Sequence, residues 1–336
     1  MQNIILVLLL ALPAMLKAQQ ISILDSSKKI SIRGLSVVDN KVAWISGSKG
    51  TVGLSTDGGQ SWSYTVVEGF EDRDFRDIEA FDKNTAVIIA IAEPAVILRT
   101  TDGGKHWKHV YENNNKGMFL DAMEFWNERS GIVLGDPING RFFIARTFDG
   151  GNSWQDVPFE NLPVADSGEA CFAASGTNIR ARDLDEACFV TGGLRSRLFW
   201  KGNPIDIPIV QGKETTGANS VAVLDWKRRK GGNTIYIVGG DFASDSATAG
   251  NSAYSNDGGQ TWQLPRRGPL GYKSSVEYID KDRLVACGTS GVDISDDGGI
   301  TWRNISRTSY HVVRKSKKGK AIFLAGSNGK IAKIIW

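Results

Sequence analysis

Apolar residues fall along this chain in short runs of four to six, each stopped by glycine, a small residue or a polar turn. The i, i+3, i+4 rhythm of amphipathic helices is not the governing pattern. Ala43-Trp44-Ile45-Ser46-Gly47, Gly131-Ile132-Val133-Leu134-Gly135, Phe189-Val190-Thr191-Gly192-Gly193, Ile235-Tyr236-Ile237-Val238-Gly239 and Leu284-Val285-Ala286-Cys287-Gly288 share one layout: a buried strand ending in small residues. Another apolar strand and a polar turn precede each run, and a third strand follows. The pattern predicts an all-β protein assembled from repeated strand groups.

The repeat is confirmed by a second phrase, Ser/Thr-x-Asp-Gly-Gly-x-x-Trp, which occurs five times. Its aspartates are Asp57, Asp102, Asp149, Asp257 and Asp297, and its tryptophans are Trp62, Trp107, Trp154, Trp262 and Trp302. The phrase reads as a hairpin corner. Asp-Gly-Gly supplies positive-φ positions, the carboxylate accepts bonds from turn amides, and the tryptophan packs beneath. This is the Asp-box, and its aspartates are expected to be structural. They lie 45, 47, 108 and 40 residues apart. The long gap holds two periods and hides a degenerate corner at Phe199-Trp200-Lys201-Gly202-Asn203.

Three strands plus the one carrying the tryptophan make a four-stranded blade. After the last box the chain adds three more apolar segments, around His311-Val312-Val313, Ala321–Gly326 and Lys330–Trp336, with no fourth. Gln20-Ile21-Ser22-Ile23-Leu24 near the other end has no blade of its own. The two ends complete one blade together, which closes a ring and removes exposed edges. The expected architecture is a seven-bladed β-propeller over residues 19–336. Inner strands converging on the axis explain the small residues that end the second strands. A sandwich would require neither the period nor the split last blade.

Residues 1–18 stand apart. An apolar run from Ile4 to Leu16 followed by Lys17-Ala18 has the length of a signal-peptide core and is shorter than the ~20 residues of a spanning helix. Export to the periplasm or the exterior is expected, with cleavage after Ala18. The 38 Gly and 10 Trp against 9 Pro match turns with aromatic anchors. A formal charge of +3, spread along the chain, argues against a nucleic-acid partner. The three cysteines, Cys171, Cys188 and Cys287, cannot all pair internally, and buried free thiols are expected. Cys171 and Cys188 occupy similar strings, which places them on neighbouring antiparallel strands turning near Asp183.

Aligning the first strands of the blades sets Arg33, Arg76, Asp77, Asp121, Asn219, Lys273 and His311 at strand starts beside the axial channel. Loops after the second strands open on the same face and add Asp136, Arg141, Arg195, Arg197 and Asp241. Propellers commonly bind at such a mouth. Arg76, Asp77, Asp121, Asp136, Arg141, Asn178 and Asp241 are the candidate binding residues. A structural role fits them as well, since a funnel of strand starts must be lined by polar groups that satisfy one another. Ser175 and Asn178 fit strand-end hydrogen bonding as readily as recognition.

Several longer strings are distinctive: Phe75-Arg76-Asp77-Ile78-Glu79-Ala80-Phe81, Phe119–Trp126, Gly135-Asp136-Pro137 with Gly140-Arg141-Phe142-Phe143, and Phe172–Asn178. In these the chain resembles the family of photosystem II stability and assembly factor-like propellers. The resemblance implies a seven-bladed fold and a lumenal or periplasmic chaperone that binds a protein, without catalysis. A protein partner contacted through the mouth, with a membrane complex as one option, and a monomeric state are the resulting expectations.

A sialidase-like glycoside hydrolase or lyase acting on an extracellular glycan is the alternative. Asp77, Asp121 and Asp136 could supply carboxylates for it, yet the Arg-Ile-Pro signature of sialidases is absent. No dinucleotide fingerprint, Cys-x-x-Cys or nucleophile elbow occurs, and the three histidines form no motif. No catalytic residue, cofactor or metal site is expected.

Overall fold

The computed structural model describes residues 19–183, 186–224 and 231–336, so the expected signal segment lies outside the described residues. Seven sheets stand around one axis. Blade 1 consists of Ile32–Val37, Ala43–Gly47, Thr51–Ser55 and Ser63–Val66, from the axis outward. Blade 2 repeats it with Phe75–Ala80, Ala86–Ala90, Ala95–Thr100 and Lys108–Asn113, and blade 3 with Leu120–Phe125, Gly131–Ile138, Arg141–Thr147 and Gln155–Asp156. Blade 4 is Ile179–Ala181, Ala187–Val190, Arg197–Trp200 and Asn203–Asp206. Blade 5 is built on Thr216–Val223, Ile235–Asp241 and Ser252–Ser255. Blade 6 is Ser275–Tyr278, Leu284–Gly288, Gly291–Ser295 and Arg303–Ser306.

Blade 7 closes the ring as the sequence predicts. Val312–Lys315, Ile322–Ala325 and Ile331–Ile335 come from one end of the chain, and Gln20–Asp25 adds the outer strand, with Gln20 opposite Ile335. The degenerate corner lies where expected. Lys201 and Gly202, with φ of 51° and 75°, form the tight turn between the outer strands of blade 4.

Each interface between neighbouring blades holds its own apolar cluster. Trp44 and Val52 of blade 1 meet Phe75 and Ile88 of blade 2, and Leu35 and Ile45 meet Phe323 and Ala325 of blade 7. The boxes reinforce these joints. A β-carbon on the second box glycine would touch the preceding blade: Gly104 meets Trp44, Gly151 meets Val87, and Gly299 meets Tyr236. Gly59 meets Phe323 of blade 7, so the same joint closes the ring. In the first box Asp57 accepts the Ser61 N–H at 3.0 Å and the Ser55 hydroxyl at 2.9 Å, and Gly58 N–H reaches Lys41 O in the blade's first turn. The box ties three segments of its blade together.

The small residues ending second strands have a local cause beyond crowding at the axis. A β-carbon on Gly47, Gly135 or Gly288 would strike the carbonyl oxygen of Ser31, Phe119 or Tyr272, where the chain enters its own inner strand.

One expectation is corrected. Cys188 lies within blade 4, but Cys171 directly follows Glu169–Ala170, a short strand that pairs with Gly192–Gly193 and joins the sheet of blade 5. The two are not on neighbouring strands, because residues 171–178 leave the sheets and cross the mouth before blade 4 begins. All three thiols are free and buried.

Candidate functional site at the axial mouth

Inner strands begin, and second strands end, on one face of the ring; boxes and first turns occupy the other. On the first face, residues 172–178 run over the axis. Ala174 O accepts from Arg33 of blade 1 at 3.0 Å, Ala173 O from Arg76 of blade 2 at 3.2 Å, and Gly176 O from Arg314 of blade 7 at 2.8 Å. The Ser175 hydroxyl donates to Ser274 O of blade 6 at 2.7 Å, and the Thr177 hydroxyl to Ser220 of blade 5 at 2.7 Å. A single segment, held by five blades, thus fills the mouth. Small side chains suit it to the narrow axis, and the arginines satisfy its carbonyls in place of water.

The structure brings Arg76, Asp77, Asp121 and Asp136 around this plug, and Asn178 is its last residue. Asp77 is 1% exposed, accepts the N–H groups of Ile78 at 2.8 Å and Met123 at 2.9 Å, and lies against Gly176. Burial pushes its carboxyl up to about 7, against the pull of Arg314. Arg76 pairs with Asp74 at 2.7 Å besides holding Ala173. Asp121 is wholly buried, and burial followed by the neighbouring Asp136 carries its carboxyl far above the usual range. Asp136 accepts the Cys171 N–H at 2.8 Å, and burial raises it to about 6. Asn178 is buried, and among the described residues neither of its amide atoms has a hydrogen-bond partner.

Arg141 and Asp241 stand apart on the rim. Arg141 donates to Leu162 O and covers the ring of Phe159 at 5.3 Å. Asp241 accepts the Ala243 N–H at 2.9 Å. Other mouth residues serve the frame: Lys273 is buried on Asp293 at 2.8 Å, and Arg197 on Glu169. His311 bridges Ile32 O and Ser327, and burial with nearby Arg33 lowers its imidazole to about 4. The boxes hold Asp57, Asp102, Asp149, Asp257 and Asp297 on the opposite face, each bonded to the hydroxyl that opens its box.

The channel opens at that opposite face into a cavity of about 820 Å³ that sequence reading did not single out. Ser36, Glu79, Glu124, Arg180, Ala222, Glu277 and Arg314 line it at one level. Each is paired with the second residue of its blade's second strand, as Glu79 with Val87 and Glu124 with Ile132. Arg180 bridges Glu124 at 3.6 Å and Glu277 at 3.3 Å, and Lys317 meets Glu79 at 2.6 Å. The available signal was a polar residue at a fixed place near the end of the inner strand in six of the seven blades, with Ala222 in the seventh, visible only after all seven strands are aligned.

Comparison with known proteins agrees with this architecture. A family model described as photosynthesis system II assembly factor YCF48 matches residues 15–118, and the BNR/Asp-box repeat matches residues 253–264 and 293–304. Among solved structures, YCF48 bound to D1 peptide is similar with a TM-score of 0.66 at 17% identity, covering 95% of this chain and 97% of that one. YCF48 from Cyanidioschyzon merolae gives 0.59 at 17% identity over 94% and 98%. The WD40 propeller domain of Doa1 gives 0.62 at 12% identity over 95% and 97%, so at this distance the likeness establishes the fold. A stretch of 59 residues is 34% identical to large ribosomal subunit protein uL3 of Methanothrix thermoacetophila, but it spans only 18% of this chain and 17% of that protein. The chain is an Asp-box β-propeller resembling YCF48.

Proposed function

We propose that this chain is an exported, non-catalytic propeller of the assembly-factor kind, holding a segment of a protein partner against the mouth face above blades 3 to 5. One observation carries the reading. The mouth is closed by the chain's own residues, so the face offers a surface, and on that surface Phe159, Val164, Leu194 and Phe242 are 51, 55, 49 and 46% exposed. Leu194 lies against Gly168, and Phe242 against Phe172 at 5.8 Å, which places this apolar arc beside the plug. Arg141, and Arg195 paired with Asp206 at 2.5 Å, flank it. Apolar anchors among cations suit an extended segment carrying apolar and acidic side chains. A similar propeller solved with a peptide bound supports this use of the fold.

Export rests on the apolar run from Ile4 to Leu16 and brings the propeller to where a subunit of a membrane complex could be met. Among the described residues no helix is long and apolar enough to cross a membrane. The glycan reading needs carboxyl groups that a sugar can reach, whereas Asp77 and Asp121 are buried beneath the plug.

The test is affinity capture from the native host with wild type, a Leu194→Asp/Phe242→Asp variant and an Ile300→Asp control on the box face. The reading expects one protein retained by wild type and control and lost by the double variant. Turnover of a sialoside or uronate polymer that vanishes in Asp121→Asn or Asp136→Asn would refute it.

A further inference from the structure

We propose that Asp121, Asp136 and Cys171 form a binding site for a thiophilic divalent cation of the Zn²⁺ class. One ligand atom from each of the three lies within 4.8 Å of the other two. They come from separate segments of the chain. Asp121 sits where the inner strand of blade 3 skips a pairing between Leu120 and Ala122, and Asp136 where the next strand skips between Gly135 and Pro137. Such bulges turn a side chain out of the strand's normal alternation. Cys171 is fixed against them by its own N–H, which Asp136 accepts at 2.8 Å.

The second observation is the state of Asp121. It is 0% exposed, and among the described residues neither carboxylate oxygen accepts a hydrogen bond of ordinary geometry. The nearby Arg76 and the Ala173 N–H favour its charge only in part. Arg76 spends its own hydrogen bonds on Asp74 and Ala173 O. A buried carboxyl without partners must take up either a proton or a cation. With a divalent cation, the two carboxylates and a Cys171 thiolate carry three negative charges, two of which the metal balances.

The donor set selects the cation class. A thiolate with two carboxylates suits Zn²⁺ and its congeners, whereas Ca²⁺ and Mg²⁺ require more oxygen ligands and no sulfur. Tetrahedral coordination at about 2.0 Å to oxygen and about 2.3 Å to sulfur needs ligand atoms roughly 3.5 Å apart, so the site contracts slightly and keeps a position for water. Binding converts the thiol to a thiolate and releases its proton, together with any proton held by the carboxyl pair, so affinity rises with pH.

The experiment is a Co²⁺ titration of the purified, chelator-washed full chain, read by the thiolate-to-cobalt charge-transfer band in the near ultraviolet and by competition with Zn²⁺. The expected result is one equivalent with the sulfur band, displaced by Zn²⁺, and retained in Cys188→Ser and Cys287→Ser. Cys171→Ser should lose the band, and Asp121→Asn should weaken binding by more than about 100-fold, since even outer partners of a metal site are worth 10–100-fold. Absence of the band in folded wild type, or a band that survives Cys171→Ser, overturns the site. The wild-type titration decides the matter even if a variant fails to fold.

Discussion

Arg314 of blade 7 reaches across the axis and donates to Gly176 O at 2.8 Å, joining residues 138 positions apart in the chain. Burial and the neighbouring Arg180 disfavour the charge of the same guanidinium, and Asp77, Glu277 and Glu124 lie close enough to offset part of that cost. Plug and ring are therefore one polar unit. Arg314→Met would leave Gly176 O unpartnered and the acidic ring less balanced. Denaturant unfolding should show a loss of about 2–4 kcal/mol. A loss below about 0.5 kcal/mol would mean the plug is held without this arginine.

The ring at the opposite face gives a second expectation. Arg180 is 9% exposed at its side chain and lies between Glu124 and Glu277. Arg180→Met should cost about 3 kcal/mol by stranding two carboxylates. Adding Glu124→Gln and Glu277→Gln should restore much of that stability in the same unfolding measurement. Equal stability of the single and triple variants would show that the three do not act as a unit.

The carboxyls predict opposed pH dependences. Asp57 and Asp257, held at about 2 in the boxes by hydrogen bonds to Ser61 and Thr261, lie below their ordinary 3.8. Their stabilisation is present above pH ~4 and is lost as pH falls through about 2. Asp136, raised to about 6 by burial, runs the other way: its contribution is complete below pH ~4 and is lost as pH rises through about 6. In chelator-treated protein, Asp136→Asn should therefore be more stable than wild type at pH 8, by ~1–2 kcal/mol, and gain nothing at pH 4. Melting curves at the two pH values check this, and an equal shift at both would contradict it.

Rim and plug arginines should separate by their contacts. Arg76 ties Asp74 to Ala173 O, so Arg76→Ala should lower the melting temperature by several degrees. Arg141, on the rim over Phe159, should lower it far less when changed to Ala, while partner capture falls. The reverse order would exchange their roles.

What could be read from sequence followed from repetition. The boxes recur with the same Asp-Gly-Gly geometry because each docks on the preceding blade, as Gly104 does on Trp44. The closing blade was legible because Gln20–Leu24 and the terminal strands each lacked partners. The plug was not. Phe172-Ala173-Ala174-Ser175-Gly176 carries neither strand alternation nor a turn signature, and its place on the axis is set by Arg33, Arg76 and Arg314 from three distant blades. For the same reason the meeting of Cys171 with Asp121 and Asp136 was hidden: a detour out of the sheets has no period to betray it. Asp77, Asp121 and Asp136 lie at the mouth, but the burial of the first two beneath the plug, and the half-burial of Asp136, depend on that detour.

The central claim, that the plugged mouth face above blades 3 to 5 is where a partner segment lies, is tested most directly by site-specific photocrosslinking in the native host. A benzophenone amino acid at Leu194 or Phe242 should give one discrete protein adduct, abolished by Arg141→Glu, while the same probe at Ile300, 43% exposed on the box face, should give none. Adducts at Ile300 with none at Leu194 or Phe242 would contradict the account.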